Sequence, residues 1–92
     1  MALEKIVRKI PSSSWESASE KLVDIVLNSP NANKMPSGLA KTILYYWQRD
    51  QLATEIGLQR LLEAAMIVDP GKTVDVLREL GFQELVTALE SQ

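Results

Sequence analysis

Proline and glycine cut this chain into pieces that only short helices can use. Proline has no amide hydrogen to give a helix interior, and it pushes the residue before it toward extended geometry. Leu3, Ile6, Val7 and Ile10 recur at helical spacing, so a helix of about three turns is expected there, ended by Pro11. The serine run that follows offers Ser13 and Glu16 as a capping box for a second helix. Its apolar stripe is Trp15, Ala18, Leu22, Ile25 and Val26, with Glu16, Glu20, Lys21 and Asp24 toward water. Asn28-Ser29-Pro30 closes that helix, and a polar loop runs on to Pro36.

Ser37 is expected to cap a third helix from Gly38 to about Arg49, with Leu39, Ile43, Tyr46 and Trp47 on its core face. Two apolar directions then conflict. Leu52, Ala53 and Ile56 define one, and Leu58, Leu61, Leu62, Ala65 and Val68 define another, roughly 165° away on a continuous helix. One straight helix would satisfy both only if it were buried nearly all round. Glycine is costly inside a helix and useful in a turn, so a break is expected at Gly57. Asp69-Pro70 reads as the cap and first residue of a helix carrying Val74, Leu77 and Leu80. Gly81 reads as its C-terminal cap, and Phe82, Leu85, Val86 and Leu89 form a last stripe. No segment alternates apolar and polar residues. The expectation is an all-α single domain over residues 1–92, a small orthogonal bundle of five or six short helices.

Composition removes most chemistry. The 92 residues contain no cysteine and no histidine, which excludes disulfides, thiol nucleophiles, zinc fingers and imidazole acid–base steps. Gly71-Lys72-Thr73 resembles the end of a phosphate-binding loop, but Met66 stands where the motif needs its first glycine and a helix precedes it. Glu55, Glu63, Asp75, Glu79 and Glu84 sit on polar faces and not in an apolar cleft that would set their pKa values apart. No enzyme activity, catalytic residue, cofactor or metal site is therefore expected. The net charge of −2 gives no general attraction to nucleic acid or anionic membrane. No apolar run reaches the length of a membrane span, and the first ten residues are amphipathic, unlike a signal peptide. A cytoplasmic location is expected, and the Leu3–Ile10 stripe is expected to cover the protein's own core.

Two segments point to binding. Successive helical residues differ by about 100°, so Tyr45-Tyr46-Trp47 cannot all face one core. Tyr45 falls on the polar side between Lys41 and Arg49, one turn away on either side; this stripe suits a protein anchor or a base-stacking platform, and equally an exposed tyrosine against which two long side chains lay their stems. Leu52 to Leu58 is similar to the centre of a DNA-binding helix-turn-helix, with Gln59 and Arg60 opening the would-be recognition helix. Glu63 stands where that motif usually has an apolar residue, and the surroundings are not basic, so direct contact with nucleic acid is the alternative and not the leading expectation.

Taken whole, the sequence resembles the small accessory subunits that bind the crenarchaeal replicative family-B DNA polymerase. The likeness rests on Met1-Ala2-Leu3-Glu4-Lys5-Ile6-Val7, on Tyr45-Tyr46-Trp47-Gln48-Arg49-Asp50, and on a short all-helical chain without cysteine or histidine. It implies a non-enzymatic subunit that binds a large polymerase chain and supports its activity or stability. It transfers no catalytic residue to this sequence.

Overall fold

The computed structural model describes residues 3–90 and folds them into α1 (Leu3–Lys9), α2 (Trp15–Asn28), α3 (Ser37–Gln48), α4 (Glu55–Val68), α5 (Pro70–Glu79) and α6 (Gln83–Glu90). Two 3-10 turns, Ser12–Ser14 and Ala32–Lys34, complete the elements, and no strand forms among the described residues. The expected all-α class is the observed one.

Helix α4 is the hub, packing against α1, α2, α3 and α5. Its buried residues are Gly57, Leu58, Leu61, Leu62, Ala64, Ala65 and Val68. On a helical wheel they cover an arc of roughly 160°, wide enough for several neighbours at once. Two alanines and a glycine in that arc let adjacent backbones approach closely. The α1 stripe of Ile6, Val7 and Ile10 is buried in this core. The protein's own interior is what the N-terminal amphipathic helix covers. Trp15 donates its indole N–H to Ile10 O at 2.9 Å, fixing the corner between α1 and α2.

Local signals end the helices where they are strongest. Asp69 caps α5, its side chain accepting from the Lys72 amide at 3.1 Å, with Pro70 as the first helical residue. Asp69→Ala is expected to cost about 1 kcal/mol, a loss of roughly 4–8 °C in a thermal melt. Thr73 is fully buried and donates its hydroxyl to Asp69 O, so Gly71-Lys72-Thr73 is an ordinary first turn with no phosphate cradle. Gly81 takes φ 84° after α5, and Phe82 N–H donates to Leu77 O while Gly81 N–H donates to Arg78 O. These two bonds make a Schellman closure. In the loop after α2, Ser29 Oγ and Asn31 Nδ2 both donate to Val68 O, satisfying a carbonyl at the end of α4.

Four expectations are corrected. The Ser13–Glu16 capping box does not form: Ser12–Ser14 is a 3-10 turn, and Ser14 precedes α2 without a side-chain cap. Ser37 is the first residue of α3 and not its cap, because Pro36 already supplies the extended residue and its carbonyl accepts from the Ala40 amide. There is no break at Gly57, which lies in the first turn of a continuous α4. The chain turns earlier, over residues 49–54. There Asp50 adopts φ 54°, and Gln51 N–H donates to Tyr46 O while Asp50 N–H donates to Trp47 O, the same closure as at Gly81. The turn resolves the clash of apolar directions by burying Leu52 outside any helix and leaving Ile56 exposed. The fourth correction is Trp47. It is 48% exposed and not part of the core face.

Candidate protein-interaction surface

Among the helices, α3 packs against α4 alone. One neighbour covers only a narrow arc, and Ile43 is the one buried residue of α3, with Leu39 and Tyr46 partly buried beside it. Leu44, Tyr45 and Trp47 are left about half exposed, at 50%, 51% and 48%. Scattered exposed apolar residues are ordinary, but three large ones lie within a single turn here, Leu44 and Trp47 along one flank and Tyr45 about 160° around the helix from Trp47.

Tyr45 is held in place. The Arg49 guanidinium carbon lies 3.6 Å from the centre of the Tyr45 ring, and Tyr46 meets the same ring edge-on at 5.5 Å with an interplanar angle of 87°. Arg49 Nη1 also donates to Tyr45 O at 3.3 Å, which closes the guanidinium over the ring. An exposed cation–π contact contributes about 0.5–1 kcal/mol. Its larger effect is to limit the ring's freedom, lowering the entropy lost when a partner closes on it. Lys41 is exposed one turn earlier on the helix, so the structure brings Lys41, Tyr45 and Arg49 together on one outward face.

The residues of the DNA-reading alternative are placed differently. Gln59 and Arg60 lie near the start of the central helix, with Gln59 half-buried. Arg60 Nη1 is 3.3 Å from Glu63 Oε2, so the cation is already engaged by a neighbouring carboxylate. Gly57 lies inside α4 and does not make the turn expected of it; the turn precedes α4, over residues 49–54, and Gln59 and Arg60 fall within α4.

No group of three or more carboxylates able to hold a metal ion occurs among the described residues. The ion pairs Arg8–Glu55, Lys21–Glu79, Arg60–Glu63 and Arg78–Asp75 are all solvent-exposed, and such pairs add little to stability. No helix of the described residues is long and apolar enough to cross a membrane.

Trp47 is expected in the core and Leu44 carries no expectation, yet the sequence holds a signal for both. With Ala40 they fall at helical spacing along one flank, a second apolar stripe beside the Leu39–Ile43 stripe. No protein-family profile, curated protein or solved structure matches the chain.

Proposed function

We propose that this protein is a non-enzymatic interaction subunit that docks on a larger protein through α3. The observation that carries this reading is the position of α3, fixed to the fold by α4 alone while Leu44, Tyr45 and Trp47 face outward. Large aromatics flanked by cations dominate the binding energy of protein interfaces, with polar residues at the rim excluding water. Tyr45 supplies such an anchor, pre-positioned by Arg49, with Lys41 at the rim. The likeness of the sequence to polymerase-binding subunits makes a family-B DNA polymerase the partner to test first, with support of its activity or stability as the role.

Affinity purification from the source cells, followed by mass spectrometry, tests the partner. Stoichiometric recovery of a polymerase large chain is the expected result, and recovery of no replication protein removes that partner. Tyr45→Ala tests the surface. It is expected to weaken partner binding by about 2 kcal/mol or more, roughly thirtyfold in Kd. Its melting midpoint should stay within about 4 °C of the parent, since the ring is half in water. Unchanged affinity would reduce the stripe to a solvated face.

A further inference from the structure

One face of α2 is left open by α3. Glu16, Ser19, Glu20 and Val23 recur at helical spacing and form one wall of a groove of about 460 Å³. Trp47 and Asp50, with Leu52 and Ala53 of the turn into α4, form the other. The lining is apolar at Val23, Trp47, Leu52 and Ala53 and anionic at Glu16, Glu20 and Asp50, and no lysine or arginine lines it. None of these three carboxylates has an ion-pair partner among the described residues. A second groove, between α2 and α5, is also acidic but contains Lys21 and Lys72, and Lys21 Nζ lies 3.9 Å from Glu79. Its four carboxylates, Glu20 among them, are partly offset by those two lysines, whereas the first groove has no cation in its lining. The Trp47 groove combines an exposed indole with three carboxylates that no described residue pairs with.

We propose that this groove docks a basic amphipathic segment of a partner protein. Its apolar side chains lie against Trp47, Val23, Leu52 and Ala53, and its lysines or arginines reach Glu16, Glu20 and Asp50. An indole face attracts cations, and a rim of one charge selects partners of the opposite charge and speeds their encounter. Nucleic acid and anionic lipid carry the wrong sign for this surface. Asp50 sits at a left-handed backbone position, φ 54°, which aspartate tolerates better than most L-residues, and that position places its carboxylate at the groove. The proposal rests on the reading of the protein as an interaction subunit, but uses a surface distinct from the Lys41–Tyr45–Arg49 stripe.

The test is an NMR titration of the 15N-labelled full chain with a synthetic Leu/Lys peptide patterned as an amphipathic helix. A Leu/Glu peptide of the same pattern is the control. The expected result is movement of the Trp47 indole N–H and of backbone amides at 16–23 and 50–53. The Trp15 indole N–H, bonded to Ile10 O, stays in place. The Leu/Glu peptide leaves the spectrum unchanged. The triple variant E16Q/E20Q/D50N should bind the Leu/Lys peptide at least about tenfold more weakly and with a shallower salt dependence. Asp50→Gly should raise the melting midpoint by about 4–8 °C while lowering affinity, a pair of opposite signs that a purely structural role does not produce. Tyr45→Ala should bind this peptide as the parent does, so groove and stripe can fail independently. Shifts that cluster elsewhere, equal binding of the Leu/Glu peptide, or an unaffected triple variant would overturn the proposal. So would sedimentation showing a dimer closed over the groove.

Discussion

Gly57→Ala is expected to lower the melting midpoint by about 10–20 °C, a net loss of about 2–3 kcal/mol. Helix propensity alone argues the opposite, because alanine is favoured over glycine by about 1 kcal/mol inside a helix. Packing decides the sign. A Cβ on Gly57 would stand 2.9 Å from both Cα and O of Leu52, and closer still to Gln51 O. These are backbone atoms of the turn between α3 and α4, so no flexible side chain can swing away. Gln51 O is also the acceptor for the Thr54 hydroxyl, and Thr54 Oγ1 in turn accepts from the Gly57 amide at 3.1 Å. Moving the carbonyl to admit the methyl group disturbs the cap of α4 as well. A melt showing a raised midpoint would mean that the turn does not approach α4 this closely.

Leu61→Ala is expected to cost about 3–4 kcal/mol, or roughly 12–32 °C in midpoint. Leu61 has no exposed surface and lies on the helix that every other element except α6 and the first 3-10 turn packs against. Truncation leaves a cavity whose walls belong to several helices, and such walls cannot all relax inward together. Trp47→Ala is the contrasting variant. Removing a large aromatic from a core would cost as much or more, but the exposed indole of Trp47 should cost less than about 1 kcal/mol. Equal destabilisation by the two variants would place Trp47 back in the core and remove the groove it lines.

The contrast between those residues shows what a single sequence can reveal. Pro11, Asp69-Pro70 and Gly81 mark helix ends correctly because each acts through its own backbone geometry or its nearest amides. The α3–α4 junction was misread because its causes are not local. Asp50, and not a glycine, takes the left-handed position, while Gly57 is there for a close approach that exists only once the helices have packed. Thr54 ahead of Glu55 was a legible start signal for α4, outweighed by the apparent turn at the glycine. Tyr45 was legible since it points away from the core by phase alone. Trp47 was not, because the width of the buried arc depends on how many helices cover α3. The groove was beyond reach for a related reason: its walls come from residues 16–23 and 47–53, which no periodicity connects.

The attachment of α3 through α4 alone also bears on how often the docking face exists at all. A helix of 12 residues is marginal in isolation, so α3 owes its order to its packing on α4 and to Ile43, its single buried residue in the core. Segments held in this way open at a lower free energy than the domain unfolds. Opening would take Leu44, Tyr45 and Trp47 out of register while α1, α2, α4 and α5 remain packed. For a partner that docks on α3 as proposed, recognition and local order are a single equilibrium, and its apparent affinity is its intrinsic affinity scaled by the fraction of molecules with α3 seated. Residues that never touch a partner, Ile43 first among them, would tune binding by setting that fraction.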